Sequence, residues 1–141
     1  MKLLFKKLHP SATIPSYAHE GDSGMDVHSI ETWSIGHEGC IHVFRTGIGA
    51  VIPEGYELQV RPRSGLACKH GVVAVLGTVD QGYRGEILVA LQNNGHEHYL
   101  VKAGDRIAQL VLAPVARADI GETDDLGETE RGADGFGSTG K

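Results

Sequence analysis

Residues 61–67 combine three groups that could bind phosphate oxygens. Arg63 and Ser64 stand just before a predicted helix, and Gly65 follows them. Guanidinium groups, hydroxyl groups and the amides at a helix N-terminus all favour phosphate oxygens as partners. Taken alone, the segment fits somewhat better with a surface arginine that precedes a helix-capping serine.

Residues 77–86 place a carboxylate and an aromatic ring on one predicted tight turn. Asp80 lies at the end of an apolar strand, where its carboxylate could take a proton from water as a general base. Tyr83 could stack on the flat face of a ligand. A strand on each side would make the segment a β-hairpin, and a polar turn with one aromatic residue is the alternative.

An amide and a second carboxylate occur at two further predicted strands. Gln109 shares a strand face with Ile107 and Val111, and a buried amide left unpaired costs roughly 1–3 kcal/mol. Its partner is therefore either the backbone or a ligand. Asp26 opens a short strand after a glycine turn. One carboxylate there could hold a hydrated Mg²⁺, an ion that usually keeps its waters, or it could be an ordinary turn aspartate.

Two other patterns do not predict a site. Residues 135–141 match the first seven positions of a phosphate-binding P-loop, but no strand is predicted before them. His96 and His98 would share a strand face, but a third metal ligand is not evident. We expect a solvated turn there.

Short, interrupted apolar runs must position these residues. The chain has 141 residues, which predicts one domain, and its 20 glycines are about twice the number expected from average usage. The predicted strands are Leu3–Leu8, Met25–His28, Ile41–Phe44, Gly47–Ile52, Glu57–Arg61, Val72–Val75, Glu86–Gln92 and Ile107–Ala113. This spacing is typical of an all-β sandwich, jelly roll or barrel. One short helix is predicted over Gly65–His70, with Ser64 as its cap and Gly71 after its end.

Charge, cysteine content and hydropathy disfavour several classes of protein. The formal net charge is −5, which argues against a general nucleic-acid binder. Cys40 and Cys68 are far apart and support neither a disulfide scaffold nor a zinc knuckle. No apolar run approaches the roughly 20 residues that span a bilayer, and the N-terminus lacks the features of a signal peptide. We expect a cytoplasmic protein with no nucleic-acid or membrane partner.

The C-terminal residues differ in composition from the rest. Residues 118–130 are acidic and carry almost no apolar anchor, so we predict a β-domain over residues 1–117 and a flexible arm over 118–141. The arm ends with Phe136 among glycines and hydroxyl residues. That composition suits folding over a small planar anion.

Together, and in order, five segments of the chain resemble the motifs of the trimeric deoxyuridine triphosphatases (dUTPases). They are Ser-Gly-Met-Asp at 23–26, Arg-Ser-Gly-Leu-Ala at 63–67, Gly-Thr-Val-Asp-Gln-Gly-Tyr-Arg-Gly-Glu at 77–86, Gly-Asp-Arg-Ile-Ala-Gln-Leu at 104–110 and Arg-Gly-Ala-Asp-Gly-Phe-Gly-Ser-Thr-Gly at 131–140. The resemblance covers nearly the whole chain. It implies a jelly-roll-like, distorted β-barrel that forms a homotrimer with three active sites between subunits.

The resemblance also implies a reaction and its residues. dUTP and water would give dUMP and pyrophosphate, with Asp80 activating the water that attacks the α-phosphorus and Asp26 holding the cofactor Mg²⁺ through water. Tyr83 would pack under the deoxyribose, and Phe136 of a neighbouring subunit would stack on the uracil. The implied substrate-binding residues are Arg63, Ser64, Gly65, Thr78, Val79, Asp80, Tyr83, Leu88, Gln109, Arg131, Phe136, Gly137 and Ser138.

Two positions depart from the family pattern. The family usually has a longer loop before residue 77, with an asparagine that helps to read the base. Residues 72–76 here are shorter and contain no asparagine, so recognition of uracil would rest on the hairpin backbone. Asp134 replaces a frequent glycine, which adds negative charge near the phosphates and would weaken closure of the arm.

Two alternative functions share this fold. A dCTP deaminase, or a bifunctional relative, has a similar Arg-Ser segment, although its glutamate motif is not seen at residues 80–83. The other alternative is a signalling protein that binds the nucleotide as a regulatory ligand and then binds a protein partner.

Overall fold

Antiparallel β-strands make up most of the regular structure. The computed structural model describes residues 1–135, which contain short strands and one seven-residue helix. The strands are β1 (Leu4–Lys7), β2 (Met25–His28), β3 (Trp33–Ile35), β4 (Cys40–Arg45), β5 (Ile48–Val51), β6 (Tyr56–Arg61), β7 (Val72–Ala74), β8 (Gly77–Val79), β9 (Leu88–Asn93), β10 (Tyr99–Val101) and β11 (Arg106–Pro114), and the helix is α1 (Ser64–His70). The predicted all-β class with one short helix is confirmed.

Strand β11 lies at the centre of the largest sheet. It pairs with β2 on one side and with β6 on the other, and β6 pairs in turn with β8. A second sheet has the order β4, β9, β7, and two further ladders join β1 to β5 and β3 to β10. This arrangement agrees with a jelly-roll-like fold. The ladders formed by residues 1–135 do not close into a continuous barrel.

Strand β9 illustrates how the sequence directs side chains into the core. Ile87 before the strand and Val89 and Leu91 within it are buried, whereas Leu88 between them is exposed, as the two-residue period predicts. Burial of one such side chain stabilises the fold by about 1.5–3 kcal/mol. The largest fully buried side chains are Phe44, Ile35, Ile48, Leu58, Ile87, Leu91, Ile107, Leu110, Val27, Val72, Val89 and Val101.

The sequence pattern missed strands β3 and β10. Each has three residues and a single buried side chain, Ile35 in β3 and Val101 in β10, so neither shows the alternation that marks a half-buried strand. The two strands pair with each other, with Val101 opposite Trp33. Their existence depends on this long-range pairing.

Helix α1 begins one residue earlier than predicted. Ser64 is its first residue, and Arg63 occupies the cap position with an extended backbone and no side-chain cap bond. The prediction of Ser64 as the cap is therefore wrong. Gly71 ends the helix in the left-handed region at φ 68°, as predicted, and its N–H donates to the Ala67 oxygen.

The turn between β8 and β9 connects two different sheets. β8 pairs with β6, whereas β9 pairs with β4 and β7, so the predicted hairpin ladder between β8 and β9 is wrong. The turn itself is present, because the Tyr83 N–H donates to the Asp80 oxygen at 3.0 Å. Residues 80–87 therefore bridge the two main sheets.

Beyond β11, the described chain forms no further strand or helix. The Val115 N–H donates to the Gly55 oxygen at 2.8 Å, and residues 116–135 are exposed. Ile120 and Leu126 are 99% and 93% exposed. The division of the chain at residue 117 stays a prediction. No helix in residues 1–135 has the length and apolar character needed to cross a membrane.

Candidate active site

A cluster of ion pairs joins three of the predicted segments. Asp26 is buried in β2, and its Oδ1 accepts a hydrogen bond from Arg63 Nε at 3.2 Å. Its Oδ2 accepts one from Arg106 Nη1 at 3.0 Å, and Arg63 Nη1 donates to the backbone oxygen of Arg106 at 3.2 Å. The structure thus brings the predicted metal-binding carboxylate and a predicted phosphate-binding guanidinium into direct contact.

Gln109 lies beside this cluster, opposite Asp26 in the ladder between β11 and β2. An irregularity in that ladder just before Ala108 turns both Ile107 and Ala108 into the core, and Gln109 is only partly buried. The prediction that Gln109 shares the buried face of Ile107 is therefore wrong. Gly24 makes room for the amide, since a Cβ there would lie 2.8 Å from the Gln109 Oε1.

Ser64 and Gly65 are exposed in the first turn of α1. The backbone N–H groups of a first helical turn have no carbonyl partners within the helix, so they can donate to an oxyanion. They follow directly after Arg63, whose guanidinium is already in the cluster. The predicted phosphate-binding segment therefore presents a cation, a hydroxyl group and amides at one end of β6.

Burial lowers the pKa of His28, a residue that the sequence analysis did not single out. Asp26 opposes this shift, and the positive charges of Arg106 and Arg63 add to it. The His28 Nδ1 is buried and has no hydrogen-bond partner in the described part of the chain. The imidazole is therefore neutral near pH 7. A histidine at a strand end gives no distinctive sequence signal.

A cavity of about 240 Å³ lies beside Arg63 and Arg106. Burial raises the pKa of Tyr99 in its wall, and the negative charge of Asp105 adds to this rise. The Tyr99 phenol is therefore protonated near pH 7. The lining residues are Arg63, Leu66, Tyr99, Val101, Asp105, Arg106 and Ile107.

The third predicted segment forms a separate cleft of about 190 Å³. Its lining residues are Thr78, Val79, Asp80, Tyr83, Glu86, Ile87 and Leu88. Five of the six residues predicted for the base, the sugar and the attacking water are among them, and the sixth, Phe136, lies outside the described residues. Asp80 is exposed just after β8, so water can reach its carboxylate.

Glu86 fixes one side of this cleft, and the sequence analysis did not single it out. Its carboxylate accepts hydrogen bonds from the Gly47 N–H at 2.7 Å and from Arg45 Nε at 3.1 Å. Its backbone oxygen accepts one from the Tyr83 hydroxyl at 2.9 Å. The available signal was a charged residue placed directly before an apolar strand.

The predicted arm residues are only partly described. Arg131 is exposed in a local turn, where its Nε donates to the Asp134 oxygen at 3.0 Å. Phe136, Gly137 and Ser138 lie outside the described residues.

The described site residues therefore fall into two groups within one chain. Asp26 and Arg63 belong to the ion-pair cluster, Gln109 lies beside it, and Asp80 and Tyr83 belong to the cleft. The residues that line the cleft and those that line the cavity beside Arg63 do not overlap.

Sequence comparison relates the chain to known enzymes. It matches the family model of the dUTPases over residues 10–140. It is 52% identical to the deoxyuridine 5'-triphosphate nucleotidohydrolase of Picosynechococcus sp., with 99% of each chain covered. It is 50% identical to the enzyme of the same name from Wolinella succinogenes, with 100% of this chain and 95% of the relative covered.

Solved structures show the same fold. The dUTPase of Staphylococcus bacteriophage 80alpha with dUpNHpp superposes with a TM-score of 0.88 at 28% identity, and 99% of each chain is covered. A mutant dUTPase from phage phi11 of S. aureus superposes with a TM-score of 0.83 at 26% identity, over 89% of this chain and 99% of that one. The second structure is described as revealing the coordination of a structural Mg(II) ion.

Proposed function

This chain belongs to the dUTPase family and is a dUTP diphosphatase, and we propose that it hydrolyses dUTP with Asp80 as the general base. The assignment to Asp80 rests on the cleft of about 190 Å³. An exposed carboxylate and an aromatic ring lie on one turn in its wall. The roles of the other site residues are part of the same proposal.

In the chemical step, Asp80 takes one proton from the attacking water. A bond forms between the water oxygen and the α-phosphorus. The bond from the α-phosphorus to the oxygen that bridges to the β-phosphorus breaks, and pyrophosphate leaves. No covalent enzyme intermediate is needed, because positioning and charge stabilisation dominate this kind of displacement.

Arg63, Ser64, Gly65 and Gln109 hold the phosphate chain. A triphosphate carries about four negative charges, which guanidinium and amide donors stabilise in a site shielded from water. The Arg63 Nε also donates to the Asp26 carboxylate at 3.2 Å. In this proposal a phosphate oxygen replaces that carboxylate as the partner of the guanidinium.

Asp26 is the residue that would hold Mg²⁺. Residues 1–135 contain no group of three or more His, Cys, Asp or Glu side chains suited to a metal, so an ion held mainly by protein ligands does not fit. A hydrated ion on the triphosphate, touched through water by one carboxylate, does fit, because Mg²⁺ usually keeps several waters. Bound there, it would neutralise phosphate charge.

Backbone groups of Thr78, Val79, Asp80 and Leu88 read the uracil. Only two residues, 75 and 76, separate β7 from β8, and neither is an asparagine. Cytosine presents the opposite hydrogen-bonding pattern at positions 3 and 4, so it would leave buried backbone groups unpaired. Tyr83 packs under the deoxyribose and excludes a 2′-hydroxyl group.

The complete site forms between subunits of a homotrimer. The outer face of the sheet β4, β9, β7 is largely apolar. Ile41, Val43 and Leu88 on this face are 57%, 50% and 47% exposed, and Val75 just after β7 is 43% exposed. Such a face is typical of an interface between copies of one chain. Because Leu88 also lines the cleft, a second copy packed on this face reaches the cleft directly.

The arm closes the site of a neighbouring subunit. Phe136 stacks on the uracil, while Arg131, Gly137 and Ser138 contact the β- and γ-phosphates. Closure excludes bulk water, and reopening releases the products. Asp134 weakens this closure by adding negative charge near the phosphates.

Product analysis tests this function. Purified protein is incubated with Mg²⁺ and each deoxynucleoside triphosphate in turn, and nucleotide, pyrophosphate and ammonia are measured. We expect dUMP and pyrophosphate to form from dUTP, and no product to form from the other triphosphates. Ammonia from dCTP would favour the deaminase alternative instead. We also propose that the enzyme acts in the cytoplasm, where deoxynucleotide pools are made.

A further inference from the structure

The turn that carries Tyr83 contains two residues with no role so far in the proposed function. We propose that Gly85 and Glu86 are positioning residues that fix the Tyr83 ring and thereby set the preference for deoxyribose over ribose. The inference rests on the proposed function, because it assumes that Tyr83 packs under the sugar.

One end of the ring is held through Glu86. The Tyr83 hydroxyl donates to the Glu86 backbone oxygen at 2.9 Å. The Glu86 carboxylate accepts from the Gly47 N–H at 2.7 Å and from Arg45 Nε at 3.1 Å. These bonds tie residue 86 to the end of β4 and to the segment that follows it, so the oxygen that anchors the ring has a fixed position.

The next residue strengthens this attachment. The Ile87 N–H donates to the Ile48 oxygen at 2.8 Å, and the Thr46 hydroxyl donates to the Ile87 oxygen. Ile48, Ile87 and Thr46 are all buried. The chain that follows Tyr83 is therefore bonded to residues 45–48 at two successive positions.

Gly85 lies against the hydroxyl end of the ring. A Cβ at residue 85 would lie 2.6 Å from the Tyr83 Cζ and 3.1 Å from its Cε2. The Gly85 oxygen lies close to β5, since a Cβ built at Gly49 would lie 3.2 Å from it. The atoms nearest to a Cβ at residue 85 all belong to the end of the Tyr83 side chain, so a methyl group there would displace that end of the ring.

A displaced ring would no longer exclude ribose. The 2′-hydroxyl group of a ribonucleotide adds one oxygen atom at the position that the ring occupies in the proposed complex. A shift of about one ångström would relieve that clash, because discrimination by steric exclusion depends on the fixed position of the excluding group. The position of the Tyr83 ring is therefore measured by the ratio of kcat/KM for dUTP to kcat/KM for UTP. A general loss of stability does not change this ratio.

The test compares Gly85→Ala with Gly82→Ala in the full chain. We expect Gly85→Ala to lower the dUTP to UTP ratio by about tenfold or more. Gly82→Ala is the matched control in the same turn, because no described residue other than its two chain neighbours comes within 4 Å of a Cβ there. It should keep the wild-type ratio. An unchanged ratio in a folded Gly85→Ala protein would overturn the inference for Gly85.

Two changes at Tyr83 separate this inference from the proposed function. Tyr83→Ala should abolish the preference for dUTP, and Tyr83→Phe, which removes only the anchoring hydroxyl, should lower it by about threefold. If Tyr83→Ala loses the preference but Tyr83→Phe and Gly85→Ala keep it, the inference is wrong and the role of Tyr83 stands. If Tyr83→Ala keeps the preference, that role and the inference both fail.

The contribution of Glu86 has its own conservative control. Glu86→Ala removes both side-chain bonds and should lower the ratio. Glu86→Gln should restore most of it, because its amide oxygen can still accept the Gly47 N–H. A wild-type ratio in a folded Glu86→Ala protein would show that Glu86 does not position the Tyr83 ring. Should Gly85→Ala fail to fold, Tyr83→Phe and Glu86→Ala decide the question.

Discussion

Arg63 donates its Nε–H to the buried Asp26 carboxylate at 3.2 Å, although the proposed reaction needs the same guanidinium on the phosphate chain. A buried carboxylate that lost its only partner would be strongly destabilised. Here Arg106 donates to the other carboxylate oxygen at 3.0 Å, so Asp26 keeps one charged partner when Arg63 leaves. The cluster therefore allows Arg63 to change partners on nucleotide binding.

Asp26→Asn should separate metal-supported binding from phosphate binding. The amide introduced at residue 26 holds Arg63 more weakly than the carboxylate does. Without Mg²⁺, the variant should therefore bind dUTP at least as tightly as the wild type does. The gain in affinity on adding Mg²⁺ should fall by about tenfold, since a charged partner has been lost. Calorimetric titration with dUTP and a non-hydrolysable analogue, with and without Mg²⁺, measures both effects.

The matched control for Asp26→Asn is Asp22→Asn. Asp22 is exposed, and its carboxylate accepts a hydrogen bond from the His19 N–H at 2.8 Å, outside the cluster. It should behave as the wild type. A normal Mg²⁺ effect in Asp26→Asn would show that another group holds the ion.

His28 should make the folded protein less stable in mild acid. Burial holds its pKa below the ordinary value of 6.5, so the unfolded chain binds the proton more readily than the folded chain. The free energy of unfolding should therefore fall as the pH drops from 6.5 through the lowered pKa, and this loss is complete below it. His28→Gln should flatten that part of the profile in thermal melts across this pH window.

His19→Gln is the matched variant for the pH experiment, because His19 is exposed and lies outside the cluster. Asp26, Arg63 and Arg106 are the charged groups that face His28 and remain in both variants. Identical stability profiles for His28→Gln and His19→Gln would refute the account of His28.

Mixing two inactive variants should restore activity if sites are shared between subunits. Arg63→Ala damages the ion-pair cluster, and Asp80→Asn damages the cleft. When the two chains assemble together, some sites combine an intact Arg63 with an intact Asp80 from another subunit. Co-expressed and co-purified chains should regain on the order of a tenth or more of wild-type turnover, because positioning contributes only when both groups meet in one site.

Val43→Lys should abolish this complementation by disrupting the apolar face. A lysine opposite Ala90 would bury a charge at the proposed interface, so light scattering should report the mass of a single chain. Leu100→Lys changes a similarly exposed residue in the ladder between β3 and β10, and should keep the trimer mass. A monomeric wild-type protein with full activity would refute the shared sites.

Deleting residues 131–141 should reduce activity and leave the fold intact. Residues 116–135 are exposed and form no strand or helix, so the β-domain gains little stability from them. The melting temperature should change by no more than about 2 °C, because such a shift reflects only a fraction of a kcal/mol. Turnover should fall by at least about tenfold, since the site is left open to water. A large drop in melting temperature would contradict this role of the arm.

The sequence predicted the cleft better than the cluster. Thr78, Asp80, Tyr83 and Leu88 lie close together in the chain, so one turn between two strands is enough to bring them together. The contact between Asp26 and Arg63 joins residues 37 positions apart, and Arg106 adds a third segment of the chain. Such a pairing depends on the order of strands in the sheet, which local periodicity does not encode.

Local irregularities account for the remaining errors. The register shift before Ala108 reverses the expected face of Gln109, because one extra residue exchanges the two faces of a strand. Ser64 enters the helix because Arg63 takes the extended cap conformation. Neither event has a distinctive pattern of residue types. Glu86 was overlooked because its bonds reach a segment about 40 residues earlier in the chain.

Single-turnover hydrolysis by Asp80→Asn tests the central claim most directly. The substitution preserves the size of the side chain but removes its capacity to take a proton from water. With enzyme in excess over dUTP and Mg²⁺ present, the rate of dUMP formation should fall at least about 100-fold. The affinity for a non-hydrolysable analogue should stay within about threefold of the wild type. A rate close to that of the wild type would contradict the role of Asp80 as the base.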